Sequence, residues 1–154
     1  RFLSSGLERM RIDSSGRVTM PYQPAFWAYS PNTYTYTTTG PLEFNSSNVG
    51  LAEQYDVGNN YNPSTGRFTA PVAGTYQITL TAAASYNSNY LYMYIMKNGT
   101  AFIARNFPQS SDYQNMPLNA VITLAAGDYI SCKTEKNATG GALYAPSFTG
   151  FLIG

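Results

Sequence analysis

From Thr75 to Thr81 the chain alternates without a break, with Tyr76, Ile78 and Leu80 set between Thr75, Gln77, Thr79 and Thr81. A period of two places the apolar side chains on one face of a strand and the polar ones on the other, so a half-buried strand is expected over Thr75 to Ala83. The residues before it are turn chemistry: in Asn62-Pro63-Ser64-Thr65-Gly66, Pro63 presets φ and Gly66 tolerates the positive φ that closes the turn. Phe68 then opens a short strand, which Ala70-Pro71-Val72-Ala73-Gly74 ends.

Similar punctuation recurs every 8 to 12 residues or so from Ala25 onward, the spacing of a sandwich or jelly roll. Expected strands are Ala25 to Tyr29, Tyr34 to Thr38, the surroundings of Glu43 and Phe44, Tyr55 to Val57, Arg67 to Ala70, Thr75 to Ala83, Asn89 to Lys97, Ala101 to Asn106, Asn115 to Leu124, Tyr129 to Thr134 and Ser147 to Ile153. Lys97-Asn98-Gly99, Ala125-Ala126-Gly127-Asp128 and Asn137-Ala138-Thr139-Gly140-Gly141 separate them. No amphipathic helix stands out. One strand breaks the alternation, because Tyr90-Leu91-Tyr92-Met93-Tyr94-Ile95-Met96 is apolar on both faces and needs two covers. One cover is the core of the sandwich. For the other, a second chain is the favoured reading, and loops of the same chain are the alternative.

Residues 1 to 20 differ in kind. They hold Arg1, Arg9, Arg11 and Arg17, four of the nine basic residues, with no Tyr and Phe2 as the single aromatic. A boundary near Met20-Pro21 divides an N-terminal segment, 1–20, from a head, 21–154. Within the segment, Leu7 to Asp13 and Arg17 to Met20 flank the turn Asp13-Ser14-Ser15-Gly16 as a small hairpin, which is marginal unless it leans on other structure. The start at Arg1 is expected to continue a longer protein.

Aromatics make up 15% of the chain and charged residues only 11%, a balance suited to strands and contact surfaces. A net charge of +1 gives no footprint for nucleic acid, and no apolar run reaches the length of a membrane span. Cys132 is the single cysteine, so no intrachain disulfide forms, and without a His neighbour it reads as a small buried hydrophobe. The absence of His removes His-dependent triads and His-ligated metals. Glu43, Glu53, Asp56, Asp112, Asp128 and Glu135 stand singly at turns or strand ends, where solvated or structural carboxylates are the rule. Asp128 is the one weak candidate metal ligand, for calcium, against a turn Asp bonded to its own backbone. Three glycosylation-type triplets begin at Asn45, Asn98 and Asn137, a pattern that arises readily by chance.

The spacing of Asp56, Tyr61, Phe68, Gly74 and Tyr76 resembles the pattern of the complement C1q-like globular head, a jelly roll related in shape to tumour necrosis factor. Ile78 stands where that family has a Phe, and Phe44-Asn45 takes the place of its leading Phe across a longer loop. Lys97-Asn98-Gly99, Leu124 to Ile130 and Ser147 to Ile153 resemble its middle turn, its Gly-Asp corner and its closing strand. The resemblance implies a ten-stranded all-β jelly roll that forms a compact homotrimer, with both termini at one end and loops at the other. It implies roles in core or trimer for Tyr61, Phe68, Tyr76, Tyr90, Tyr92, Tyr94, Phe148 and Phe151. The shorter stretch Glu8 to Val18 resembles the segment that precedes C-terminal domains of phage tail fibres and other virion appendages.

Taken together, these features lead to the expectation of a non-enzymatic virion tip domain joined to a fibre shaft and presented extracellularly for attachment to a host surface glycan or protein. Loop residues Tyr86, Asn87, Asn89, Asp112, Tyr113 and Gln114 are the expected contacts, since Tyr supplies apolar area and a hydroxyl at small entropic cost. Two alternatives stay open. One is a structural domain that trimerises, caps the fibre or decorates a capsid, and the other is a carbohydrate-binding module of a secreted protein. A secreted signalling ligand ranks last.

Overall fold

The computed structural model describes residues 1–86, 90–108 and 110–154, with the side chains of residues 110–112 outside that description. Among the described residues there is no helix. The chain begins with β1 (Phe2–Ser4), β2 (Leu7–Ile12) and β3 (Val18–Thr19), which form a separate sheet with β2 in the middle. The expected hairpin is there, closed by Asp13, whose Oδ1 accepts from the amides of Ser15 and Arg17 at 2.9 and 3.0 Å. Phe2–Ser4, not expected as a strand, adds to its outer edge.

Two sheets make the sandwich. The first runs β13 (Ser110–Asn115), β10 (Gly74–Tyr86), β16 (Ala142–Leu152), β4 (Ala25–Tyr29), β7 (Ala52–Asp56), with β14 (Leu118–Leu124) also on β10 and β5 (Thr33–Thr35) also on β16. The second runs β12 (Thr100–Phe107), β11 (Leu91–Lys97), β15 (Tyr129–Lys136), β9 (Arg67–Thr69), β8 (Tyr61–Asn62), with β6 (Gly40–Glu43) on β15. Every pairing is antiparallel, and neighbours such as β4 and β16 come from opposite ends of the chain. This is the jelly roll expected from the sequence, carried by short extra edge strands.

The alternation of β10 is realised over its whole length, since Tyr76, Ile78, Leu80, Ala82, Ala84 and Tyr86 all point into the core. On β11, Leu91, Met93 and Ile95 do the same. An aromatic cluster joins the two sheets. The Phe26 ring lies flat on Phe68 at 4.5 Å and on Tyr61 at 5.3 Å, and meets Phe148 edge-on at 4.8 Å. Gly150 makes room for it, because a Cβ there would come within 2.6 Å of the Phe26 ring and 2.7 Å of the Ile78 side chain. Gly66 is enforced as well: its φ is +66°, and a Cβ would sit 2.0 Å from the Phe44 carbonyl oxygen.

Besides shifted strand ends and the short unexpected strands Phe2–Ser4 and Tyr61–Asn62, two departures from the sequence reading stand out. Ser110–Asn115, polar and read as loop, is a strand because the exposed edge of β10 offers it a ladder. The closing strand starts at Ala142 rather than Ser147, passing through an irregularity where Ala145 takes φ +44° before Pro146.

Replacing Gly150 with Ala is expected to destabilise the protein by about 1–3 kcal/mol through overpacking of Phe26. The measurement is a urea midpoint at fixed protein concentration, lowered with an unchanged slope. A midpoint equal to wild type would show that the two sheets are not held together at this contact.

Candidate functional site

The solvent side of the first sheet carries apolar side chains left exposed among the described residues. Strand alternation decides which they are. In Ala25-Phe26-Trp27-Ala28-Tyr29 the inward positions are Phe26 and Ala28, so Trp27 and Tyr29 face out. Pairing then lays out two rows across the outer face. One runs Asn119, Thr79, Thr149, Trp27, Tyr55, and the next runs Val121, Gln77, Phe151, Ala25. Trp27, Tyr55, Val121 and Phe151 are between 42% and 62% exposed, far above the core residues on the reverse of the same strands. Two of the polar pairs on this face are satisfied within it: Trp27 Nε1 donates to Ser147 Oγ at 3.0 Å, and Thr79 Oγ1 donates to Asn119 Oδ1 at 2.8 Å. The face is therefore a set of apolar projections on a partly self-paired polar floor, the make-up of a protein contact.

The aromatic residues singled out from the sequence divide among three environments. Tyr61, Phe68, Tyr76 and Phe148 are core. Phe151 stands on the outer face just described. Tyr90, Tyr92 and Tyr94 lie half-buried on the outer face of the second sheet, with ring centroids 5.3 and 5.9 Å apart in sequence order. Trp27, Tyr55 and Val121 were not singled out from the sequence, although the two-faced aromatic pattern of Ala25 to Tyr29 signalled the exposure of Trp27.

The expected loop contacts do not form one group. Tyr86 is a correction: it is 1% exposed, because it continues the inward face of β10, and its hydroxyl donates to the Pro108 carbonyl. Asn87 and Asn89 lie outside the described residues, as does the Asp112 side chain. Tyr113 is 69% exposed and packs on Tyr144 with ring centroids 4.5 Å apart. Gln114 is half-buried beside it on β13.

Asp128 is fully engaged. Its Oδ1 accepts from Asn98 Nδ2 at 2.8 Å, and Oδ2 accepts from the Ala125 amide at 2.9 Å and faces Lys97 Nζ at 2.9 Å. Asn98 in turn accepts from the Tyr129 amide at 2.9 Å, so the group latches two turns together. An added cation would meet the Lys97 ammonium, and the calcium role gives way to the structural one. Among the described residues no three carboxylate or cysteine side chains gather as a metal site. Of the other carboxylates, Asp56 Oδ2 accepts from the Tyr61 amide at 2.7 Å and Glu135 pairs with Lys133 at 3.7 Å. Cys132 is wholly buried, and burial pushes its thiol up.

Residues 25–153 match the model of the C1q domain. Complement C1q tumor necrosis factor-related protein 3 of Homo sapiens is 30% identical over 115 residues, which is 71% of this chain and 47% of that protein. The chain thus spans about half the length of this curated relative. Among solved structures, the globular domain of zebrafish complement 1qA protein superposes with a TM-score of 0.63 at 23% identity, covering 86% of this chain and 98% of that one. The PRD1 vertex protein P5 gives a TM-score of 0.68 at 16% identity, covering 99% of this chain and 86% of that one.

The Asn98 side chain and the neighbouring donors hold the Asp128 carboxyl at about 2. An unfolded Asp titrates near 3.9, so as the pH falls the unfolded chain takes up the proton first. The contribution is complete above that unfolded value and is lost as the pH drops toward 2. Thermal unfolding from about pH 5 to pH 2 is therefore expected to show a shallower loss of Tm in Asp128→Asn than in wild type. Parallel curves would remove the latch.

Proposed function

This chain belongs to the C1q domain family, and we propose that it is the homotrimeric, non-enzymatic tip of a virion appendage, such as a tail fibre, that attaches the particle to a host cell. C1q domains form homotrimers. The observation that carries the reading is the outer face of the first sheet, where Trp27, Tyr55, Val121 and Phe151 remain exposed in the single chain. Burying apolar area is worth about 25 cal/mol per Å², and a standard interface buries about 800 Å² on each partner. Each protomer's outer face meets its neighbours, and the trimer turns weak single-site contacts into avidity.

The N-terminal segment supports attachment to a shaft. Phe2, Leu3, Leu7, Ile12 and Val18 are all exposed on a sheet of three short strands, and Met20 is exposed just beyond it. So small a sheet needs further cover, which three copies side by side supply. The segment leaves the head beside the C-terminal strand, where the Leu152 amide donates to the Pro24 carbonyl at 2.9 Å and Arg9 lies 4.8 Å from the Tyr22 ring centroid. Residues 1–20 act as the end of the shaft and 21–154 as the head. The likeness of the whole chain, hairpin included, to the fold of a vertex protein adds support for a virion setting.

In sedimentation experiments the wild-type protein is expected to run at three times its chain mass of 16.9 kDa. Trp27→Asp combined with Phe151→Asp is expected to give a folded monomer, since losing two central aromatic anchors costs about 2 kcal/mol or more each. A wild-type protein that stays monomeric at millimolar concentration would overturn the trimer.

Deleting the head from the parent fibre separates recognition from a purely structural role. Fibres that still trimerise but no longer adsorb to host cells are the expected result. Fibres that fail to assemble favour the structural alternative.

A further inference from the structure

We propose that the outer face of the second sheet is a binding groove for an uncharged linear glycan, a reading that takes its biological partner from the attachment role proposed above. Two adjoining features make the groove. Tyr90, just before β11, and Tyr92 and Tyr94 on it line the outer face, with neighbouring ring centroids 5.3 and 5.9 Å apart and ring planes inclined by 59° and 34°, a spacing close to one pyranose unit of an extended chain. The row continues to Met96, which forms one wall of a cavity of about 280 Å³. Its other walls include Glu43, Thr65, Arg67, Tyr129 and Ser131.

The strand register makes the two features continuous. Tyr94 pairs with Lys133, which pairs with Glu43 at the cavity, while Met96 pairs with Ser131 inside it. The polar groups along the way are balanced in charge. Lys133 Nζ sits 4.7 Å from the Tyr94 ring centroid and 3.7 Å from Glu135, and Arg67 lies 4.2 Å from the Tyr129 ring centroid across the cavity from Glu43.

Sugar rings present apolar C–H faces and hydroxyl edges. Aromatic rings match the faces. Carboxylate, guanidinium and hydroxyl groups converging in a small concavity match the edges and fix orientation. A polyanion finds no net positive charge here, because the two cations, Lys133 and Arg67, are matched by the two carboxylates Glu135 and Glu43. A protein partner would want the contiguous apolar projections that belong to the opposite sheet. Because the trimer uses that opposite sheet, three such grooves face outward at once and add their contacts.

The test measures binding of the trimeric protein to cellohexaose, maltohexaose and chitohexaose and to a printed array of bacterial O-antigens and capsular polysaccharides, with heparin and polysialic acid as charged controls. Binding to at least one uncharged glycan is expected, weakened 10-fold or more in Tyr92→Ala and in Glu43→Gln. Both variants should keep the trimer mass and stay folded at the assay temperature, and Tyr92→Phe should retain most of the affinity. No binding to any uncharged glycan, binding only to the charged controls, or affinity unmoved by both variants each overturns the groove. Adsorption of labelled trimer to intact bacteria keeps the two proposals apart. Cells bound equally by wild type and by both variants sink the groove and leave attachment standing. An array glycan bound through Tyr92 and Glu43, with no cell type bound, leaves the groove standing and sinks attachment.

Discussion

The contact of Phe26 with Phe68 and Tyr61 is the constraint on which the rest of the architecture depends. Phe26 belongs to the first sheet and the other two to the second, so stacking at 4.5 and 5.3 Å fixes the separation and relative rotation of the layers. No disulfide or helix shares that task among the described residues. Offset aromatic pairs add to plain burial, and here each ring touches several others, including Phe148 and Tyr76. Gly150 shows how tightly the cluster is fitted, since even one methyl group would collide with it.

With the layers fixed from inside, the two outer faces are free to diverge in chemistry. The first sheet shows exposed apolar groups among uncharged residues, with Thr79 bonded to Asn119 and Trp27 to Ser147, a surface that gains by being covered. The second shows tyrosines interleaved with paired charges, a surface that stays compatible with water while offering ring faces. One sandwich can therefore assemble through one side and present the other. This division also explains why a run such as Tyr90 to Met96 tolerates apolar character on both faces: its outward members are tyrosines that tile against each other and under Lys133.

Polar groups inside the head serve structure. Lys136 is buried, with its ammonium donating to the Gly140 carbonyl and lying 4.3 Å from the Tyr36 ring centroid, and burial lowers its pKa. The Tyr36 hydroxyl shares a hydrogen bond of 2.9 Å with Thr134, and its burial pushes the phenol up. Such pairs tie the loop after β15 to the sheet, as Asp128 ties the turn before it.

Fold class, the main strands and most of the core were legible in the linear chain. Alternation at Thr75 to Thr81 named its inward residues, and Asn98-Gly99 signalled a turn whose two φ values are indeed positive, at 50° and 79°. These features are local, set by neighbours two to four residues away, so a linear reading captures them. Ser110–Asn115 escaped it because a polar strand forms only when a distant strand edge accepts its hydrogen bonds. Tyr86 was misplaced because the strand outlasts the hydrophobic alternation through small alanines. The outer-face patch and the tyrosine groove were decided only by tertiary structure. Trp27, Tyr55 and Phe151, or Met96, Arg67 and Glu43, become neighbours only when antiparallel pairing brings together strands from remote parts of the chain, and no local pattern encodes that register.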